Sequence, residues 1–263
     1  MERTVVCMKW GTLYGPDYVN VLLNAVSAHL EGSFRFVCFT DDSTGVDDRV
    51  DCVSIPPMTM AAGGWARGGW PKLSVFSDEA AAKLGGRCLF IDLDTIVTGP
   101  LDPLFTRPGN PIMIREWPRL ADRLRRRRHF GASGIFAWDG GSLQHIWDEF
   151  EADSDTICEQ FRQEQQFLEH RAADLTFWPE DWVISFKRTL MAPPLLDRII
   201  GPKPVPPEAR ILAFHGDPRP IDVVPDKGQR WGKGWHYGRG AVPYVRDYWL
   251  RYGGSDPELD TRE

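Results

Sequence analysis

Five cysteines in 263 residues, at positions 7, 38, 52, 88 and 158, are an odd number whose spacing matches no zinc-ligand pattern. Cys7, Cys38 and Cys88 lie inside apolar, strand-like runs and read as small buried hydrophobes of a reducing compartment. No apolar stretch approaches the roughly 20 residues of a membrane span. Met1 to Thr4 leads into a short strand without the apolar core of a signal peptide, so the expected location is the cytoplasm. Positive charge is also scarce. The formal net charge is −6, which argues against a nucleic-acid partner. One run departs from this, Arg123-Leu124-Arg125-Arg126-Arg127-Arg128-His129. It is either an ordinary solvated basic segment or a patch making peripheral contact with phosphates or an anionic membrane face. Internal repeats and long linkers are absent.

What is present is the composition of a folded domain: 42% hydrophobic and 12% aromatic residues, with eleven tryptophans. Thr4 to Met8 is a buried strand. Gly11 to Pro16 is a loop in which Asp17 is placed to cap a helix carrying Tyr18, Leu22, Ala25, Val26 and Leu30 on one face, stopped at Gly32. Phe34 to Thr40 is a second strand, completing a βαβ unit. The predicted fold is therefore α/β, with a mostly parallel central sheet, helices on both faces and a Rossmann-like nucleotide-binding half. Pro71 starts a helix predicted to run through Leu84, and Cys88 to Ile91 is a third buried strand. Ile112–Ile114, Gly134–Trp138 and Ile211–Phe214 read as strands, and Leu143–Phe150 and Glu159–His170 as helices. The expected organisation is one domain over 1–220, with a C-terminal extension over 221–263 packed on it.

Chemistry is expected at the carboxyl ends of strands. The third strand delivers Asp92-Leu93-Asp94 there. Two carboxylates one residue apart can share a hard cation such as Mn²⁺ or Mg²⁺, although two ordinary aspartates in a strand-end turn would read the same way. His215 follows another apolar strand, with Gly216 allowing close backbone approach and Arg219 offering a planar cation. An imidazole beside two carboxylates suits Mn²⁺, and arginine suits a diphosphate. Lys72, near a helix start, is either an anion contact or a surface lysine. Glu164 and Gln165 lie in a polar helical stretch whose default is a solvated face. Ser133, before a strand, presents a hydroxyl to a ligand or forms a turn.

In order and spacing, these pieces resemble glycosyltransferase family 8, the glycogenin-like and bacterial galactosyltransferase-like enzymes of GT-A fold. The segments are Trp70-Pro71-Lys72-Leu73, Cys88 through Val97, and Leu101-Asp102-Pro103-Leu104-Phe105. Phe130 to Phe136, Glu164-Gln165 and His215-Gly216-Asp217-Pro218-Arg219-Pro220 follow. The resemblance spans residue 4 to about 220. It implies that Asp92, Asp94 and His215 bind Mn²⁺ (or Mg²⁺) bridging the diphosphate of a nucleotide-sugar, with UDP favoured. It implies that Lys72 and Arg219 touch phosphates or donor sugar, and that Tyr14 stacks on the base in a pocket lined by Lys9 and Trp10. Leu93, Ser133 and Gly216 fall among the donor-binding positions, and Ser133, Glu164 and Gln165 face the transferred sugar, with Glu164 and Gln165 as the catalytic pair. The reaction implied is transfer of a hexose to a glycan or small-molecule hydroxyl with retention of configuration. Ala132, Glu164 and Arg219 stand where the family usually has Asn, Asp and Lys.

Two other readings share these residues. A haloacid-dehalogenase-type phosphatase would use Asp92-Leu93-Asp94-Thr95. It normally carries that motif near its N-terminus and needs paired acids downstream, and no adjacent Asp-Asp follows residue 94. A non-catalytic sugar- or nucleotide-binding module would use the tryptophans and Trp231 to Tyr237 as stacking surfaces.

Overall fold

The computed structural model describes residues 2–60, 68–117, 131–193, 196, 199–226, 230–232 and 237–256. The arginine run at 123–128, Phe130, Trp235 and His236 lie outside the described residues. In chain order the elements are β1 (Arg3–Lys9), α1 (Pro16–His29), β2 (Arg35–Thr40) and β3 (Asp51–Ser54). A buried 3₁₀ helix (Trp70–Phe76), α2 (Asp78–Ala81), β4 (Arg87–Ile91), β5 (Thr95–Val97) and α3 (Asp102–Thr106) come next. They are followed by β6 (Ile112–Arg115), β7 (Gly131–Asp139), α4 (Gln144–Ala152), α5 (Ser154–Gln160) and α6 (Glu164–Arg171). The chain ends with β8 (Thr176–Phe177), β9 (Val183–Ser185), a π-helical turn (Phe186–Leu190), β10 (Ile211–Ala213), a 3₁₀ turn (Pro220–Val223) and α7 (Pro243–Arg251).

A seven-stranded sheet has the order β3-β2-β1-β4-β7-β6-β8. Four of its six pairings are parallel, and β7 runs antiparallel to both β4 and β6. Strand alternation feeds two cores. Val5 and Cys7 of β1 and Leu89 and Ile91 of β4 face α1, whereas Val6, Met8, Cys88 and Phe90 face the layer of the 3₁₀ helix, α4 and α6. Covering both faces explains why β4 reads as an unbroken apolar run, buried at every position. A smaller sheet, β5-β10-β9, joins β10 antiparallel to β5 and parallel to β9.

Some expectations are corrected. Gly15, not Asp17, is the N-cap of α1, and Asp17 sits in the first turn, where its charge favours the helix dipole. The helix expected over 71–84 is two pieces, because Ser77 leaves the helical conformation and its Oγ accepts the Ala80 N–H as the cap of α2. The helix expected over 159–170 is likewise split, by an extended Phe161 between α5 and α6. Beyond residue 220, Val223, Val224, Trp231, Val242, Val245, Tyr248 and Trp249 enter the same core as β1 and α1. α7 is held against α1 by an edge-to-face contact of Trp249 with Tyr18 and by the Asn24 amide donating to the Tyr252 carbonyl at 2.9 Å. No helix among the described residues is long and apolar enough to cross a membrane.

Candidate active site

β4 is buried throughout and ends at Ile91, so Asp92 leaves the sheet at its carboxyl edge. Its N–H donates to the Gly134 carbonyl of β7 at 2.9 Å, and the Thr95 hydroxyl donates to the Asp92 carbonyl at 2.6 Å, closing the turn that carries Leu93 and Asp94. A Cβ at residue 134 would lie 3.4 Å from Asp92 Oδ2, which places β7 directly against the carboxylate. Lys72 is buried, not on the surface, and its ammonium meets Asp92 Oδ2 at 2.7 Å. Burial alone would depress that ammonium, but the charges of Asp92, Glu164 and Asp94 outweigh it and hold the pKa above the ordinary lysine value.

The acids are strained electrostatically. Burial raises the pKa of Asp92, with Lys72 pulling against it. Burial and the neighbouring Asp92 charge push Asp94 up to about 7. Tyr14, in the β1–α1 loop, donates its hydroxyl to Asp94 Oδ2 at 3.3 Å and packs edge-on against Tyr18. Burial and the Asp94 charge raise its phenol well above the tyrosine range.

Glu164 is buried at the start of α6, contrary to a solvated helical face. Ser133 Oγ donates to its Oε1 at 2.6 Å and the Gly69 N–H to its Oε2 at 2.9 Å. The Ser133 N–H reaches Gln165 Oε1 at 3.4 Å, and Gln165 donates its amide to Gln163 at 3.1 Å. The helix start, β7 and the 3₁₀ entry loop are thus tied together next to Lys72.

β10 carries His215 past the same edge, and the Phe214 N–H donates to the Asp94 carbonyl at 3.0 Å. The imidazole is engaged elsewhere: Nε2 is 2.7 Å from Ser185 Oγ, and the ring lies parallel to Trp117 at 5.5 Å. Gly216 has φ +65°, the left-handed turn that glycine adopts freely. Lys187 donates to the His215 carbonyl at 3.0 Å. Arg219 is paired with Asp222 three residues on. Lys9 is buried and donates to the Asp42 carbonyl at 2.8 Å, and Trp10 packs half-buried on the second core.

No protein-family model and no curated protein matches the sequence. Solved structures do match the architecture. The galactosyltransferase LgtC, in complex with donor and acceptor sugar analogs, superposes with a TM-score of 0.58 at 11% identity, covering 99% of this chain and 100% of that one. This is a GT-A fold. The glycosyltransferase GlyE of Streptococcus pneumoniae TIGR4 gives 0.58 at 12% identity, and the bifunctional glycosyltransferase WbbM gives 0.60 at 11%. The chain spans 62% of the length of GlyE and 52% of that of WbbM.

In this GT-A fold, Asp92, Asp94, Lys72, Tyr14, Ser133, Glu164 and Gln165 form one connected group, with Gly134 behind it. His215 is joined to it through the backbone. Among the described residues, no cluster of three or more His, Cys, Asp and Glu side chains is arranged to hold a metal. The acid pair itself fits a hard divalent cation, since two carboxylates one residue apart face the same edge and burial, then the neighbouring Asp92 charge, raise the Asp94 pKa. Four contributors are not apparent in the sequence reading: Gly69, Trp117, Ser185 and Lys187. Val183-Ile184-Ser185 is a short apolar run that could have signalled β9, and with it the serine at its end.

Proposed function

We propose that the protein is a metal-dependent glycosyltransferase that moves a hexose from a nucleoside diphosphate sugar, UDP favoured, to an acceptor hydroxyl with retention of configuration. One observation carries the reading: a half-buried acid pair at the carboxyl end of β4, with Lys72 on one carboxylate and Tyr14 on the other. The GT-A fold, shared with an LgtC captured with donor and acceptor sugar analogs, favours a transferase over a phosphatase or a bare binding module.

Asp92 and Asp94, with His215 as third ligand, would hold Mn²⁺ or Mg²⁺, which supplies the charge that makes a diphosphate a competent leaving group. For His215 to serve, its Nε2 has to exchange the Ser185 hydroxyl for the cation. Lys72 stays beside Asp92 and adds positive charge facing the phosphates. Tyr14 presents its ring edge to the nucleotide pocket while its hydroxyl steadies Asp94. Glu164, fixed by two donors, acts as an anion near the anomeric carbon and is not free to move onto it. It therefore steadies a positively charged, sugar-like transition state, with Gln165 and Ser133 orienting the sugar hydroxyls. The acceptor then attacks from the face the diphosphate leaves, and a departing phosphate oxygen takes its proton.

The test is a thermal-shift screen of nucleoside diphosphates with and without Mn²⁺. Stabilisation that requires both UDP and the metal is expected, and Asp94→Ala should abolish metal-dependent donor hydrolysis. A chain indifferent to every nucleoside diphosphate would sink the proposal.

A further inference from the structure

Three of the five cysteines stand side by side in the central sheet. β1, β2 and β3 are parallel neighbours, with Cys7 in register with Cys38 and Cys38 in register with Cys52. Partners in register share one face of a parallel sheet. Cys7 and Cys38 belong to the core under α1, and Cys52 precedes Val53, which packs on the opposite core, so the three thiols line the α1 side. The row runs from the middle of the sheet to its margin. Cys7 and Cys38 are fully buried, whereas Cys52 is exposed on the edge strand. We propose that Cys52 and Cys38 form a reversible oxidation site, in which a peroxide oxidises the Cys52 thiol and the Cys38 thiol then closes a disulfide with it. The proposal does not depend on the transferase reading.

Spacing is the first argument. Neighbouring strands lie about 4.8 Å apart, and two cysteines can be bridged when their Cα atoms are roughly 4.4–6.8 Å apart. Side chains of parallel neighbours stand side by side and do not converge, so the sulfurs meet only if one strand turns. β3 can turn, being four residues long and hydrogen-bonded in the sheet to β2 alone. A bond closed in this way is readily reduced, as suits a pair that rests as thiols.

Access is the second argument. An oxidant meets Cys52 first, and Cys38 is the thiol beside it. Cys7 is sealed behind Cys38, and Cys88 and Cys158 belong to the opposite core. Burial, then the charge of Cys38, raise the Cys52 pKa, with Lys9 drawing it back. The thiolate is the reacting form, so oxidation is slow near neutrality and faster as pH rises. The Cys52 thiolate attacks one oxygen of hydrogen peroxide, the O–O bond breaks and hydroxide leaves, giving a sulfenic acid. The Cys38 sulfur then displaces the sulfenic hydroxyl, which departs with the Cys38 proton as water. Two thiols have lost two electrons, and the peroxide has become two waters. The bond closes the segment between the two cysteines. Within it the Asp41 carboxylate accepts the Gly11 N–H at 2.8 Å, and the Asp47 N–H donates to Asn20 of α1 at 2.8 Å. Oxidation therefore acts on the support of the loop that carries Tyr14.

The experiment treats the full, reduced chain with hydrogen peroxide at pH 7 and pH 8.5, blocks the remaining thiols and maps a non-reducing tryptic digest by mass spectrometry. Cleavage after Arg35 and Arg49 leaves Cys38 and Cys52 on separate peptides. Expected is one linked pair, Cys38 with Cys52 of the same chain, reversed by dithiothreitol and formed roughly tenfold faster or more at pH 8.5. Cys52→Ser should abolish the link, and Cys158→Ser should leave it intact. In Cys38→Ala, or Cys38→Val if alanine prevents folding, Cys52 should stop at the sulfenic acid, which dimedone captures. Disulfide-linked dimers, a link between any other pair, or oxidised Cys52 beside a free Cys38 in the wild type would overturn the proposal. So would a link that appears only after denaturation.

Discussion

Tyr14 shows how a single side chain divides into two jobs that can be separated. Its ring, proposed above to meet the nucleotide, packs edge-on against Tyr18, and its hydroxyl donates to Asp94 at 3.3 Å, a bond that pulls the Asp94 pKa down against burial. Tyr14→Phe keeps the ring and removes that bond. Asp94 then holds its proton more tightly, so Mn²⁺ affinity at pH 7 should fall roughly tenfold, about what a long hydrogen bond to a charged group contributes. Metal-free UDP binding should be unchanged, and calorimetry of both ligands distinguishes the cases; unaltered Mn²⁺ affinity would show that the hydroxyl is a bystander. The acid pair was legible only in company: an apolar run ending in Asp-x-Asp also suits a plain turn or a phosphatase, and the strand end at His215 with the ordered blocks between singled it out. The same run could not reveal that Asp94 answers to a tyrosine 80 residues earlier, since that contact is created by the packing of the β1–α1 loop across the sheet edge. Lys72 and Glu164 were visible as residue types but not as buried ones. A lysine and a glutamate are kept out of water only by partners, and those partners, Asp92, Ser133 and the Gly69 N–H, are distant in sequence.

The 3₁₀ helix is the element on which local reasoning failed most usefully. Apolar residues at 73, 76, 80 and 84 have helical spacing, yet all seven residues from Trp70 to Phe76 are buried, so no solvent face exists for an amphipathic helix to present. Its tight first turn brings the Gly69 N–H to Glu164 and the Lys72 ammonium to Asp92 from one short segment. Gly69 has ordinary backbone angles (φ −101°), so its role is spatial: a Cβ there would stand 2.5 Å from Glu164 Oε1. Gly69→Ala therefore displaces the carboxylate. Donor hydrolysis should fall tenfold or more, and the Gly69→Ala, Glu164→Ala double variant should be no slower than Glu164→Ala alone, because both changes remove the same group. Additive losses would mean that the glycine serves something other than Glu164. α7 was missed for the opposite reason. Pro243 at the first turn and Val245, Tyr248 and Trp249 on one face are adequate helix signals, but they sit behind a stretch rich in glycine and tryptophan that masks them.

At the scale of the whole molecule, the sheet and its two cores followed from strand-length apolar runs, whereas the closure of the chain end on α1 did not. That closure places the residues of α7 behind the β1–α1 loop: Trp249 meets Tyr18, Tyr18 meets Tyr14, and Tyr14 meets Asp94. Stability of the end is thereby linked to order at the site. His29, in the last turn of α1, sits at this seam with Nε2 3.1 Å from the Tyr252 hydroxyl. Burial, and then the charge of Arg251, lower its pKa below the ordinary 6.5. A histidine whose folded pKa is depressed contributes nothing to the pH dependence above 6.5, where both states are neutral. As pH falls through 6.5 the unfolded chain takes a proton that the native chain resists, so stability declines until the folded pKa is reached and then levels off. The melting temperature of the wild type should accordingly drop more between pH 7.5 and 5.5 than that of His29→Gln, which keeps a polar partner for Tyr252 without a titrating one. Identical pH profiles for the two proteins would show that the seam closing the fold behind the β1–α1 loop is not sensed by His29.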